Sequence, residues 1–371
     1  MVHPLPVGSA AWTGGEEYGG EYSERIHQFI DKVNQKALLS YASALRENRP
    51  CTISREFSVG SFNLVRKIQF DDGVEWIARL RMPPMPDQGR RAVPPAVEGI
   101  LLDMESELAT MEFVRQNTDI SIPKVYGYDL NDQNPVGCPF SILEYIHGNT
   151  TEEVSRTYPG KHEGIPAPFE EKLWRQVAKI MVQLASIRLS KIGSIIRNEA
   201  DPESFVPPPA ARADGDAADF GLANYDLNPN NLLVDQEFNI LAVIDWDSVA
   251  AVPDAALYRF PFLMGISCAI PGVVDTHPAV MKRQQLGRRF AEVVEAVARE
   301  QSGVDCEDAN KRHTFLLTKA GFFSKESMAF RSLIYVKMRQ DWVNYKNGGQ
   351  ASLTKRLNPL ATPWPTPWPT P

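Results

Sequence analysis

From Cys51 to Leu80 the chain runs through short stretches of strand character, ISREF, FNLVRKIQF and VEWIARL, rich in β-branched and aromatic residues. Asp71-Asp72-Gly73 separates the last two, which predicts an antiparallel hairpin. After a Pro-rich stretch, MPPMPDQGRRAVPP, the period changes. From Val97 to Arg115, Leu101, Met104, Leu108, Met111 and Val114 recur at the i, i+3, i+4 spacing of an amphipathic helix. SIPKVYGYD and PFSILEYI then return to strand character, giving the order strand, strand, helix, strand, strand. Beyond His147-Gly148 the chain reads as mainly helical: Leu173, Val177, Ile180, Met181 and Leu184 form a second stripe, and further helices are expected around 278–301 and 310–345.

The ends differ from this middle. A Gly- and Glu-rich opening leads into a helical pattern marked by Ile26, Phe29, Ile30, Val33 and Leu38, which reads as an N-terminal appendage. The closing PLATPWPTPWPTP can form neither a regular helix nor a central strand and is expected to be disordered. The resulting division is a tail and helical extension over 1–49, a β-rich lobe over 50–145, a helical lobe over 146–345 and a Pro-rich tail over 346–371. A length of 371 residues exceeds what one hydrophobic core usually serves, in keeping with two lobes.

Composition narrows the class without choosing a substrate. The chain is 43% hydrophobic and 23% charged, ordinary for a globular enzyme. PFLMGISCAIPGVV, its longest apolar candidate, is broken by Pro271 and falls short of the roughly 18 residues of a membrane span, so no membrane partner is expected. The start lacks a basic n-region and an apolar h-region, which makes a cytoplasmic location the default expectation. A formal charge of −7 disfavours nonspecific nucleic-acid binding. Cys51, Cys138, Cys268 and Cys306 show neither CxxC spacing nor nearby histidines, so reduced, mostly buried thiols are expected rather than a zinc site or disulfides.

Against that background, one region stands apart: ANYDLNPNNLLVD over 223–235, followed by VIDWD over 243–247. Two ordinary turns beside two strands would account for it. So would a metal-nucleotide site. A loop around Asp226-Leu-Asn-Pro, a strand through Leu232–Val234 and a second strand over Ile240–Trp246 make a hairpin that sets Asn231 beside Asp245. A carboxylate and an amide oxygen are hard ligands of the kind Mg²⁺ accepts alongside triphosphate oxygens. Asp226, just before the hairpin, is placed to accept or orient the proton of an attacking hydroxyl.

This arrangement resembles the aminoglycoside phosphotransferase and choline kinase family, protein-kinase relatives that phosphorylate small molecules. Asn224-Tyr225-Asp226 through Asn231, then Ile244-Asp245-Trp246-Asp247, is similar to the family's HGDxxxxN and IDWE or IDFD. The resemblance spans about 50–345 and implies an α+β, protein-kinase-like bilobal fold: a β-rich lobe with one long helix and a larger helical lobe. It also implies ATP and Mg²⁺, with transfer of the γ-phosphoryl group to a hydroxyl or amine of a small-molecule acceptor. Asp226 then acts as base or orienter, and Asn231 and Asp245 as metal ligands; Asp247 either touches a second metal or caps the next turn. Ser58-Val59-Gly60-Ser61-Phe62-Asn63 resembles the nucleotide loop. Arg79 takes the place of the phosphate-pairing lysine, and Glu107 that of its helical partner, with Glu105 as competitor. SILEYIH resembles the hinge, where the backbone near Glu144 and Tyr145 would meet adenine.

Two positions depart from the family pattern: Asn224 replaces a histidine that braces the catalytic loop, and Arg79 replaces the lysine. The first motivates a second reading, a nucleotide-binding pseudokinase acting as scaffold or regulator. The six histidines show no paired spacing and no GxSxG elbow occurs, so hydrolysis falls behind phosphoryl transfer. The Pro-rich tail, pre-extended by composition, also suits SH3- or WW-type domains.

Overall fold

A computed structural model describes residues 7–16, 18–60, 62–83, 97–158, 165–189, 193–198, 201–206, 220–252, 257 and 278–302. The helix expected around 310–345 and the Pro-rich tail lie outside these residues. The chain divides into two compact units, Met1–Gln176 with Asp226–Asp247, and Val177–Tyr225 with Ser248–Pro371. The sequence had grouped 146–345 together; the stretch carrying the metal-nucleotide motif instead clusters with the first unit.

The first unit begins with helices α1 (Gly20–Lys32) and α2 (Gln35–Ala44). They are separated at Val33, which is extended, and Asn34 caps α2 by accepting from the Ala37 amide at 3.2 Å. Five antiparallel strands follow: β1 (Cys51–Val59), β2 (Asn63–Phe70), β3 (Glu75–Arg81), β4 (Val125–Asp129) and β5 (Phe140–Glu144), in the order β1-β2-β3-β5-β4. Gly73, with φ of +83°, supplies the left-handed residue of the β2–β3 turn that Asp71-Asp72-Gly73 predicted. The long helix α3 (Val97–Asn117) connects β3 to β4, close to the predicted bounds.

Alternation sorts the two faces of the sheet. Leu64, Ile68 and Phe70 of β2 and Trp76, Ala78 and Leu80 of β3 are buried in one cluster with Ile26 and Phe29 of α1 and Leu38 and Ala42 of α2. Residues read from sequence as an appendage therefore supply core, each large apolar side chain contributing about 1.5–3 kcal/mol by its burial. Val65, Lys67, Ile77 and Arg79 occupy the opposite face, because side chains one residue along a strand point the other way. Arg66 is the polar exception on the core face. A bulge between Ile53 and Phe57 leaves the Ser54 carbonyl to accept from its Nε at 2.8 Å. Of the cysteines, Cys268 and Cys306 lie outside the described residues, Cys51 is half-buried and Cys138 is buried; burial pushes the Cys138 thiol up to about 12, which keeps it a thiol.

Beyond Gly148 the described chain carries the expected helices, with short strands between them. The first unit adds β6 (Asn149–Thr150) and α4 (Thr151–Thr157), whose start carries a reciprocal capping box between Thr150 and Glu153. Helix α5 (Ala167–Ser186) buries the predicted stripe, Leu173, Val177, Ile180, Met181 and Leu184. In the second unit, β7 (Arg188–Leu189) and β8 (Ile196–Asn198) precede β9 (Asp201–Val206), which pairs β8, and β10 (Phe220–Asn224), which pairs β7. The first unit resumes with β11 (Leu232–Val234) and β12 (Ile240–Val243), which join β6 in a three-stranded sheet. In the second unit β13 (Val249–Val252) pairs β10, and α6 (Pro278–Ser302) matches the helix expected at 278–301. Among the described residues no helix is long and apolar enough to cross a membrane.

Candidate active site

The site residues meet in the first unit. Arg79 sits on β3, a central strand, opposite Val65 of β2 and Ser141 of β5, with 15% of its side chain exposed. Its Nη1 donates to Oε1 of Glu107 on α3, so Glu107 rather than Glu105 is the helical carboxylate that reaches it. Its Nη2 donates to Oδ1 of Asp245 at 3.1 Å. The Arg79 nitrogens around it, donors only, assign the Asn63 amide with its oxygen toward the guanidinium, where it accepts from Nε at 3.0 Å and from Nη2 at 2.9 Å. Burial opposes the Arg79 charge, but the carboxylates of Glu107 and Asp245, and Asp247 beyond them, outweigh it and raise the pKa above the ordinary arginine value. Neighbouring Arg81 goes the other way, lowered by burial and then by the like charge of Arg79.

The expected second strand of the hairpin ends early. β12 stops at Val243, and Asp245 turns into the left-handed region with φ of +61°, a conformation that Asp and Asn tolerate better than most residues. That turn frees Asp245 to reach Arg79. It also buries Trp246, whose backbone amide donates to the same Glu107 Oε1 at 3.2 Å and whose Nε1 donates to the Val243 carbonyl at 2.9 Å. Glu107 thus ties α3 both to β3 and to the segment after β12. Asn231 lies across from Ile244, whose amide donates to its carbonyl at 2.9 Å, one residue short of Asp245.

Asp226 and Asn231 are also brought together. Asn231 Nδ2 donates to Oδ2 of Asp226 and to its carbonyl, both at 2.9 Å. Asn228, which the sequence reading passed over, donates from Nδ2 to Asp226 Oδ1 at 2.9 Å. The available signal was Asn228-Pro-Asn230, an Asx-type turn in which the Asn228 side chain also accepts from the Asn230 amide at 2.8 Å. Both Asp226 carboxylate oxygens are held by amides, which fixes its orientation.

A divalent cation finds suitable donors here. Asn231 spends its NH₂ on Asp226 and so presents its oxygen, while Asp245 keeps Oδ2 beyond the one that Arg79 takes. An amide and a carboxylate oxygen are hard donors of the kind Mg²⁺ accepts, and no cluster of three or more His, Cys, Asp or Glu suited to a metal occurs among the described residues.

The nucleotide-loop and hinge residues are less uniform. Ser61 lies outside the described residues. The Gly60 amide donates to the Asn63 carbonyl at 2.9 Å, and Phe62 is 54% exposed, its ring 4.9 Å from the Arg81 guanidinium carbon. At the expected hinge, the Glu144 amide is spent on the Lys124 carbonyl at 2.8 Å and its Oε2 accepts from the Lys124 amide at 3.0 Å. The Tyr145 hydroxyl accepts from the Ser9 amide at 2.5 Å and donates to Ser9 Oγ at 2.9 Å. Ser9 belongs to a short 3₁₀ turn, Gly8–Ala11, that the sequence had left in a tail. Farther along, Thr13 bridges Phe57 of β1, and Tyr22 Oη donates to the Gly60 carbonyl at 3.3 Å.

No protein-family model matches the chain. Among curated proteins, "Altered inheritance of mitochondria protein 9, mitochondrial" of Zygosaccharomyces rouxii is 32% identical over 93 residues, 25% of this chain and 15% of that protein's length. Relatives from Eremothecium gossypii and Saccharomyces cerevisiae carry the same name. These mitochondrial names overturn the cytoplasmic expectation, which rested only on the first residues lacking a signal pattern. Among solved structures, a macrolide 2'-phosphotransferase from Brachybacterium faecium matches over 87% of this chain and 98% of its own, at 14% identity and a TM-score of 0.39. A thermostable mutant of an aminoglycoside phosphotransferase, in ternary complex with ADP and hygromycin B, matches over 87% and 97%, at 12% identity and a TM-score of 0.38. With its five-stranded antiparallel sheet, the long helix between β3 and β4 and the Arg79–Glu107 pair, the chain has the protein-kinase-like α+β fold of the aminoglycoside phosphotransferases, the family its sequence motifs resemble.

Proposed function

We propose that the chain is a small-molecule kinase that transfers the γ-phosphoryl group of ATP to a hydroxyl or amine. The observation that carries this reading is the guanidinium of Arg79, held between Glu107 and Asp245 in the same unit as the amide-clamped carboxylate of Asp226. A fixed cation in the same unit as an oriented carboxylate suits a polyphosphate whose charge must be neutralised and whose acceptor must be aligned. Asp226 orients the acceptor O–H or N–H and takes up its proton. As the new bond to phosphorus forms, the bond from the γ-phosphorus to the bridging oxygen breaks, and ADP leaves. Arg79 offsets charge on the phosphates, and Glu107 keeps Arg79 in place. Asn231 and Asp245 would hold Mg²⁺, which supplies further charge neutralisation when bound.

An untargeted metabolite screen with labelled ATP identifies the acceptor, and Asp226→Asn then tests the role. This variant keeps the side-chain shape, so MgATP affinity should stay within a few-fold while single-turnover transfer falls roughly 10²-fold or more. Equal transfer by wild type and variant would sink the catalytic assignment. Asn224, buried at the end of β10 where the family pattern has histidine, favours the second reading of a nucleotide-binding scaffold. ATP binding without turnover on any acceptor would decide for it.

A further inference from the structure

Lysine and arginine differ in what they ask of their surroundings. An ammonium is a compact point charge, whereas a guanidinium is a plane whose orientation has to be set. Glu107 and Asp245 grip Arg79 only at its two terminal nitrogens, and two such contacts leave the plane able to rock about the line joining them. A third contact at Nε removes that freedom, and Asn63 supplies it.

Strand register explains how. Asn63 pairs with Arg81 and Val65 with Arg79, so Asn63 and Arg79 are diagonal neighbours on one face of the sheet. Leu64, between them in sequence, is fully buried on the other face. From that position the Asn63 oxygen accepts from both Nε at 3.0 Å and Nη2 at 2.9 Å. Its carbonyl meanwhile accepts from Gly60 at 2.9 Å, closing the turn of the nucleotide loop. One residue thus links the loop to the cation. Its neutrality matters too, since an aspartate there would add negative charge beside a triphosphate.

We propose that Asn63 is a positioning residue that sets the plane of the Arg79 guanidinium, and that this pairing is why the phosphate-facing cation here is arginine. The resemblance had given Asn63 a direct part in binding nucleotide; its partner here is Arg79. The inference rests on the nucleotide-site reading of the previous subsection.

The test compares affinities for ATP, ADP and adenosine in wild type, Asn63→Ala, Arg79→Lys and the double variant, with circular dichroism to establish folding. Asn63→Ser, also too short to reach Arg79, stands in if Asn63→Ala does not fold. Asn63→Ala should weaken ATP and ADP roughly five- to tenfold, the scale of a lost hydrogen bond to a charged group, and leave adenosine unchanged. In the Arg79→Lys background the same change should do nothing further, because lysine offers no donor at the Nε position. Additive losses would mean that Asn63 acts on the phosphates directly, and an equal loss for adenosine would mean a merely structural role; either overturns the proposal. A wild type that binds no nucleotide would instead fail the nucleotide reading. The clamp is then judged by the ¹⁵N–¹H resonance of Arg79 Nε, which should exchange slowly in wild type and lose its protection in Asn63→Ala. Undiminished protection in the variant would refute it.

Discussion

Asp245 shows how one backbone angle assembles a site. Its left-handed conformation ends β12, aims its carboxylate at Arg79 and sends the next amide, that of Trp246, to Glu107. Asp245→Asn tolerates the same φ and keeps the side-chain shape, so it isolates the charge. MgATP should raise the thermal midpoint of the wild type by mass action, and the magnesium-dependent part of that shift should shrink in the variant. A shift of equal size in both would place the metal elsewhere. The residue types at 226, 231 and 245 were legible from spacing, because a loop and a hairpin bring them near one another whatever surrounds them. The positive φ was not legible: IDWD continues an apolar run, and nothing local marks where pairing stops.

Elements were readable where one face is buried and the other is not. β2, β3 and α5 carry clean periodicities that the structure keeps, whereas α3, found at close to its expected bounds, buries Glu107 to Met111 in a row and so is not one-faced. β10 and β13 escaped because Leu222, Ala223, Val249, Ala250, Ala251 and Val252 are all buried, leaving no alternation to detect. Their pairing also joins Phe220–Asn224 to Val249–Val252 across intervening elements of the chain. The docking of α2 on β4 gives an element-scale prediction. A Cβ added at Gly127 would lie 2.8 Å from Leu45 Cδ1 and 2.9 Å from the Tyr41 hydroxyl, which itself donates to the Tyr128 carbonyl at 3.1 Å. Gly127→Ala should therefore turn the Leu45 and Tyr41 side chains aside, at the expense of the Tyr41–Tyr128 hydrogen bond, and destabilise the protein by about 1 kcal/mol, measured by denaturant unfolding. A stability equal to wild type would show that these side chains yield without cost.

At the scale of the whole molecule, the division into units does not follow the chain. Asp226–Asp247 leaves the surrounding sequence to cluster with Met1–Gln176, so every residue of the Arg79 network belongs to one unit although Arg79 and Asp245 stand far apart in sequence. Sequence reading cuts a chain into consecutive pieces and has no means to see such an excursion. It also undervalued the N-terminal helices, whose moderate amphipathic pattern looked detachable. Removing residues 1–49 should uncover the apolar face formed by Leu64, Ile68, Phe70, Trp76, Ala78 and Leu80 and give an aggregating protein. Size-exclusion chromatography of the truncated chain checks this, and a well-behaved monomer would refute it.

The contact between Ser9 and Tyr145 bears on maturation. Within residues 9–22, Ser9 touches Tyr145, Thr13 the edge of β1 and Tyr22 the Gly60 carbonyl. A cut within this stretch therefore alters the surroundings of the proposed nucleotide site. A protease that trims the chain before Val7 leaves all three ties standing, whereas one that cuts after Thr13 strips the first two and spares the third. Two proteolytic forms of the same polypeptide, sharing every residue of the Arg79 network, would then differ in how firmly hinge and loop are held, and ATP affinity would record where the protease had cut.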